Sequence, residues 1–404
     1  MAYEQVYSII NAMYAQTTGK TDIAVVDTSS FISVANTLLK TGYDNFINSL
    51  SNVLTKSIFA WRPYDAKFGI IEEDAERWGN HVRKISPMDN DAVEAKQYSL
   101  VDGQSIDPWV VRKPKSVQLN YYDEKTWDDF ITLPKHQIDE SVRSESEFAQ
   151  FVAMVIGNLR NKIEQNKEDT RRLTFNNFIM AVYQDEKNNA SNGSYGRLVK
   201  LLTEYNSLTG LSLTAQSVYQ PSNYMPFIQW VSSRIMQVSE HLTDRGYLYH
   251  KNLPIPSIMI PRHTPKNYQK LAIMSDAYSM IQNSAFANTF HDKFVKGFAA
   301  FEPINFLQSA KDGYRNSVWL NKFVTLNDSN GQTYIAEAQD DNKFTLDNFF
   351  GIVFDRDAML TTVCNEWTQS TGMNPRAGYE NLYYHFTMRF CNDFTENAII
   401  FVLE

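Results

Sequence analysis

This sequence is short of cysteine, of long apolar runs and of surplus positive charge. Only Cys364 and Cys391 occur in 404 residues. Two cysteines cannot build a disulfide framework or a zinc knuckle, so reduced thiols of a cytosolic product are expected. Apolar runs such as 398–403 fall far short of the ~18 residues that span a bilayer. The N-terminal MAYEQVYSIINAMYAQ has no basic region before its apolar stretch and carries Glu4, which argues against a signal peptide. Lys and Arg number 38 against 46 Asp and Glu, a net charge of −8. That balance excludes a nucleic-acid binder acting through overall charge.

Catalytic signatures are missing too. The chain holds no GxSxG elbow and no GxGxxG fingerprint. Thr18-Gly19-Lys20-Thr21 imitates the end of a phosphate loop, but Tyr14 stands where that motif needs glycine, and no strand precedes it. None of the seven histidines has metal-ligand spacing. His250 and His263 lie thirteen apart with no third ligand nearby. The acidic groups Glu72-Glu73-Asp74, Asp89 with Asp91, and Asp340-Asp341 read as solvated loop faces. No catalytic, cofactor-binding or metal-binding residue is assigned, and no cofactor is expected. Basic clusters at Arg112-Lys113-Pro114-Lys115 and Arg171-Arg172 suit phosphate or acidic patches on a neighbouring subunit.

What the chain does have is aromatic surface: 13%, including 22 Tyr and 25 Phe. Aromatics dominate cores and protein interfaces. Residues 1–60 read as helical, with Ser29 or Ser30 capping a stretch that carries Phe31, Val34, Leu38 and Leu39. Residues 61–122 read as a long two-stranded excursion. Phe68 and Ile70 mark one strand end, and Val117, Leu119 and Tyr121 the other. Such a hairpin cannot bury a core of its own, so it must lie on the rest of its chain or on a neighbour.

Residues 144–186 predict one long helix. Ser144 and Glu147 form a capping box. Phe148, Phe151, Val152, Val155, Ile156, Leu159 and Ile163 mark one face, which Phe175, Phe178, Ile179 and Val182 resume after a polar stretch at 164–172. Its length of ~60 Å exceeds the ~22 Å radius of gyration of a compact chain of this size, so a flat or elongated protein with a spine is expected. Further on, a helix is predicted over 225–242, a strand, cap and helix over 271–283, and strands over 318–326 and 349–354. Residues 253–261 read as a proline-rich connector or edge strand, and 328–331 as a turn. Residues 382–390 and 398–403 read as a strand pair joined by the turn 391–396.

This order of elements, with Asn374-Pro375-Arg376-Ala377-Gly378-Tyr379, Tyr383-Tyr384-His385, Arg389-Phe390 and Asn397-Ala398-Ile399-Ile400-Phe401-Val402, resembles the major capsid proteins of tailed bacteriophages. The closer likeness is to the phi-29-like short-tailed group. Asp44-Asn45-Phe46 through Arg62-Pro63, Phe68-Gly69-Ile70 with Ile71-Glu72-Glu73, and the approach from Trp127 to Glu147-Phe148 carry the same resemblance. Some relatives carry an immunoglobulin-like domain after the last strand, and none is expected here. The resemblance implies an α+β, Hong-Kong-97-type capsid fold. Its parts would be an N-terminal helical arm (1–60), an extended β-hairpin loop (61–122), a peripheral domain (123–205 and 359–404) around the spine helix (144–186), and an axial domain (206–358).

It also implies a non-enzymatic head-shell subunit that self-assembles into hexamers and pentamers of an icosahedral or prolate shell. Expected partners are other copies, a scaffolding protein and a portal. The shell would enclose double-stranded DNA without sequence-specific binding and without a membrane. The protein would be made in the bacterial host cytoplasm and end in the virion. The alternatives are a portal or tail component, or an enzyme whose site is assembled from distant residues. Interface candidates are Trp61, Phe68, Ile70, Trp78, Trp109, Arg112 and Lys113. Loop lysines Lys67, Lys84 and Lys96 carry no mark of covalent crosslinking, so cementing by packing is expected.

Overall fold

The computed structural model describes residues 10–15, 30, 34, 35, 37, 67–73, 82–88, 100–111, 113–121, 124–136, 145–188, 195–252, 260–283, 298–307, 318–320 and 344–404. Two compact units emerge, each built from three segments. The first comprises Met1–Trp78, Glu124–Arg172 and Thr361–Phe390; the second comprises Gly79–Asp123, Leu173–Leu360 and Cys391–Glu404.

The predicted long helix, α1, runs over Glu145–Asn188, 44 residues, and supplies both units. Its capping residue Ser144 lies outside the described residues. In the first unit, the strands β3 (Glu124–Pro134), β10 (Met359–Ser370) and β11 (Tyr379–Asn392) form a sheet in the order β10-β11-β3. β11 and β3 are antiparallel, from Tyr379 opposite Pro134 to Arg389 opposite Glu124. Side chains alternate across a strand. Tyr384, Phe386 and Met388 therefore share the face that packs on Leu159 and Ile163 of α1, with Trp127 and Val363. Trp127 stacks on Phe386 at 5.3 Å.

The polar interruption of α1 is not a solvated stretch. Lys167, Glu168, Thr170 and Arg171 are all buried. Each cation has a carboxylate: Lys167 meets Glu366 at 2.6 Å, Arg171 meets Glu72, and Arg172 meets Glu168 one turn back. Pairing is what makes charge tolerable in an interior. Arg171-Arg172 is thus committed inside its own unit, which removes it as a phosphate contact.

The second unit centres on a five-stranded sheet. Its strands are β4 (Leu198–Lys200), β5 (Gln269–Met274), β6 (Ala300–Ile304), β9 (Phe349–Asp355) and β12 (Ala398–Val402). The order is β4-β12-β9-β5-β6. β5, β9 and β12 are buried at every position, as strands covered on both faces are, and the polar ends Gln269, Lys270 and Asp355 are buried with them. On one side lie α2 (Leu201–Thr209) and α3 (Pro221–His241), through Leu202, Tyr205, Phe227, Val231, Ile235 and Val238. On the other, Phe175 of α1 meets Phe354 and Phe306 edge to face. Helix α4 (Ser275–Asn283) follows β5 as predicted, and β5 and β6 are parallel. Pro303 is tolerated because β6 is an edge strand. A small antiparallel pair joins β7 (Val318–Leu320) to β8 (Phe344–Leu346).

Two expectations need correction. Residues 382–390 and 398–403 are strands but not partners. β11 bonds to β3 and β10, while β12 bonds to β9 and β4, so the turn between them hands the chain from one sheet to another. Phe68 and Ile70 do not belong to a hairpin strand. Residues 67–73 form a turn and a single parallel bridge, Glu72 to Thr361. In the N-terminal 60, the described residues 10–15, 30, 34, 35 and 37 are helical; the turn at 18–21 lies outside the described residues, as do 253–259 and 328–331.

Candidate subunit interface

The hairpin is made by β1 (Val82–Met88) and β2 (Lys115–Tyr121), antiparallel from Val82 opposite Tyr121 to Met88 opposite Lys115. A lone hairpin is marginal in water, so its root needs an anchor. Lys84 of β1 supplies it. The Lys84 ammonium lies 2.7 Å from Asp393 and also meets Glu396. Both acids sit in the turn that precedes β12. Arg262 joins the cluster, 3.1 Å from Glu396, and donates to Ser86 Oγ of β1 at 3.1 Å and to the Thr395 carbonyl at 3.2 Å. Asp393 Oδ1 accepts from the Thr395 hydroxyl and amide, which closes the turn on itself.

The electrostatics follow from burial against pairing. Burial alone would depress the Lys84 ammonium, but Asp393 and Glu396 outweigh it and hold its pKa above the ordinary value. Burial would raise Asp393, yet Lys84 and the Thr395 hydrogen bonds pull it below the usual carboxylate range. For Glu396 burial wins, aided by the Asp393 charge and opposed by Lys84 and Arg262, so its pKa is raised. Tyr121, on β2, is pushed up by burial first and then by the charge of Asp393.

Away from the root, residues 100–111 behave in the opposite way. Leu100, Val101, Ile106, Trp109, Val110 and Val111 are all exposed, Trp109 to 85%. Two tight turns shape this stretch. Gln104 N–H donates to the Val101 carbonyl at 3.1 Å, with Gly103 at φ +87°, and Trp109 N–H donates to Asp107 Oδ1 at 2.9 Å. Six large apolar side chains are exposed within twelve residues, a denser run than the single scattered exposures of ordinary surfaces.

Of the seven interface candidates, Trp109 and Lys113 face outward on this stretch. Phe68 and Ile70 are buried within their own unit, beside Ile71. Their segment is stitched to β10 by Thr361 N–H to Ile71 O at 2.9 Å and Glu73 N–H to Thr361 O at 3.1 Å. Trp61, Trp78 and Arg112 lie outside the described residues. Sequence reasoning passed over Lys84, Arg262, Asp393 and Glu396 as a group. The usable signal was Asp393-x-Thr395, a side-chain-to-backbone turn pattern, but nothing local tied it to a lysine 309 residues away.

The other candidate chemistry dissolves into structure. His250 is buried, with oxygens against both ring nitrogens, and His263 is exposed. Cys364 and Cys391 are both buried. Among the described residues no three His, Cys, Asp or Glu gather as a metal site, and no helix is long and apolar enough to cross a membrane.

The model of the Phi29-like phage major capsid protein family matches residues 8–402. The chain belongs to that family. It is therefore a head-shell building protein of the virion, with the Hong-Kong-97-type fold expected from its element order. The capsid of Staphylococcus phage Andhra is a solved structure similar in fold, with TM-score 0.51, 10% identity, and 84% of each chain covered. Capsid structures of cyanophage P-SCSP1u (TM-score 0.40, 11% identity, 84% of this chain and 86% of that one) and of bacteriophage PhiM1 (0.39, 10%, 84% and 87%) also match. No curated protein matches the chain.

Proposed function

We propose that the hairpin 82–121 is the arm by which each shell subunit grips its neighbour. The observation that carries this is the contrast within one element: a root clamped by buried charge and an apolar stretch left in water. A subunit that gives one arm and receives another makes heterologous contacts, which close into rings. Hexamers and pentamers of an icosahedral or prolate head are the rings in question. Obligate interfaces of this kind bury ~2,000–5,000 Å², a demand that the exposed Trp109 and its apolar neighbours serve.

The two-sheet organisation supports a division of labour. The unit holding β3, β10 and β11 takes the peripheral role, and the unit holding the five-stranded sheet takes the axial role around five- and six-fold axes. In this reading β12 belongs with the axial sheet, since it lies between β4 and β9. The protein acts without catalysis, is made in the host cytoplasm with a scaffolding protein and a portal as partners, and encloses double-stranded DNA without reading its sequence. An acidic wall with a net charge of −8 does not hold DNA tightly, and a strongly basic lumenal face in a mapped particle would contradict that part.

The test is a deletion confined to residues 100–111. Residues 67–73 must stay, because Phe68, Ile70 and Ile71 are interior. Electron microscopy should show soluble subunits with native circular dichroism but no shells, where the intact protein, alone or with scaffold, forms shells or sheets. Normal shells from the deleted protein would remove the arm.

A further inference from the structure

The hairpin root also forms part of the wall of a cavity. Pro87 of β1, Pro261, Pro265, Tyr268, Arg356 and Glu396 are among the residues that enclose about 380 Å³. All of the walls belong to the second unit, and hydrogen bonds fix them. Gly246 and Arg262 exchange both backbone bonds, at 3.0 and 2.8 Å. Tyr268 N–H donates to the Pro265 carbonyl at 2.8 Å, and Arg356 N–H donates to the Tyr268 carbonyl at 2.9 Å. The three prolines hold their own φ. The Arg356 guanidinium lies 4.4 Å from the centre of the Tyr268 ring. The buried acids on the walls are already engaged. Asp355 accepts from the Thr264 hydroxyl at 2.7 Å and from Asp357 N–H at 2.9 Å, and Glu396 belongs to the Lys84 clamp. The exposed charged and titratable residues on the walls are Arg245, His263, Arg356 and Asp357, cationic on balance.

The stretch 100–111 of the same hairpin has the converse shape and charge. It carries Asp102 and Asp107 and no Lys or Arg, and both acids are exposed. Pro108 fixes φ just before Trp109, and Trp109 N–H donates to Asp107 Oδ1 at 2.9 Å. The indole, 85% exposed, thus projects from a backbone that is already set. None of 100–111 lines the cavity of its own chain. We propose that the cavity is the socket for Trp109 of a second copy, so that the tip of one arm enters beside the root of the next. The inference rests on the arm reading of the hairpin and names the surface that the arm grips. Trp, Tyr and Arg dominate interface energetics where they meet in pockets, and indole is the best ring for a guanidinium; Tyr268 and Arg356 supply both kinds of partner. The volume is at the lower end of the ~300–1,000 Å³ of ligand pockets, which suits one large side chain. Asp107 enters with the indole and brings its carboxylate to Arg245 and Arg356. Knob and socket are both formed beforehand, so little ordering entropy opposes their meeting. Tip and root are different surfaces, so the contact is heterologous and each copy gives one and receives one. Arg262 and Glu396 serve the root clamp and the socket wall alike, so a subunit with a clamped root also has a formed socket.

Photo-crosslinking in shells of the full-length protein, formed alone or with scaffold, tests this. Benzoylphenylalanine placed at position 109 keeps an aromatic side chain at the tip. Irradiated shells of mixed heavy- and light-isotope subunits should yield adducts that join position 109 of one chain to peptides 260–268 or 355–357 of another. Trp109→Ala and Arg356→Glu should each raise the concentration at which shells form by about tenfold or more, read by light scattering. Both should leave the urea midpoint of the unassembled subunit unchanged, since both side chains are exposed. The double variant should be no worse than the poorer single one, because each removes the same contact. This cycle decides the matter if the crosslinking variant does not assemble. Adducts elsewhere or within one chain, a single variant that assembles normally, or losses that add overturn the socket. Those results leave the arm itself standing, which fails only if shells form without 100–111.

Discussion

Lys84 is the residue on which the hairpin's attachment to its own unit depends. It offsets two buried carboxylates, of which Asp393 is 1% exposed at its side chain. Removing one partner of a buried pair strands the other, at a cost of about 3–5 kcal/mol. Lys84→Met is expected to lose stability of that order in urea denaturation, where Lys84→Arg, which keeps the charge, loses far less. The pH dependence has a definite sign. Asp393 has a depressed pKa, so its contribution is full above the ordinary carboxylate value of 3.8 and is lost as pH falls through its lower folded value. Lys84 has a raised pKa, so its contribution is full below 10.5 and is lost as pH climbs through its higher folded value. Glu396, raised by burial, works the other way: it favours the folded root on the acid side and gives up that stability as pH rises through its folded value. Asp393→Asn should therefore flatten the acid limb of a stability-versus-pH curve below about 4 while lowering the neutral plateau. A variant that kept the wild-type acid limb would remove Asp393 as its source.

At the scale of elements, legibility followed periodicity. Helix α1 was readable because Leu159, Ile163, Phe175, Phe178, Ile179 and Val182 return at helical spacing, and all of them are buried. Its polar middle misled, because burial of Lys167 and Arg171 depends on Glu366 and Glu72, partners that no local pattern reveals. Strands β5, β9 and β12 were visible as apolar runs, but such runs carry no register and no partner. Adjacency in sequence suggested β11 with β12, and non-local hydrogen bonding decided otherwise. The hairpin's first strand escaped because its inward residues, Lys84 and Ser86, are polar while Ile85 is exposed, the reverse of the usual apolar-in pattern. Gly351 shows how closely the central sheet is built. A Cβ there would sit 2.8 Å from the Ala272 carbonyl and 3.2 Å from Ile273 Cγ1, in the middle of β9, where the neighbouring strands leave no slack. Gly351→Ala is expected to cost about 1–3 kcal/mol by overpacking, read as a lower midpoint in thermal unfolding with the shell-forming surface untouched.

For the whole molecule, composition excluded much and selected little. Acidic balance and scarce cysteine left many functions open. Excess aromatics pointed to contacts without locating them, and the structure divides them: Phe175, Phe354 and Phe386 are interior, while Trp109 stands in water. Trp109 was legible as a candidate because the hairpin around it has no core. Phe68 and Ile70 were not separable from it by sequence, since their burial depends on β10, which lies almost 300 residues downstream in the chain. The deletion of 100–111 belongs to this scale. It should leave the urea midpoint of the lone subunit nearly unchanged and abolish particles, which separates loss of assembly from loss of folding. The placement of the root clamp also bears on synthesis. β1 and β2 leave the ribosome early, whereas Asp393, Glu396 and β12, the strand inserted between β4 and β9, are made much later. The hairpin of a nascent chain therefore lacks the partners of Lys84, and the central sheet lacks β12, until the same late residues arrive. Grip and core are completed by one stretch of polypeptide, so a chain cut short before Asp393 lacks both the partners of Lys84 and the strand between β4 and β9.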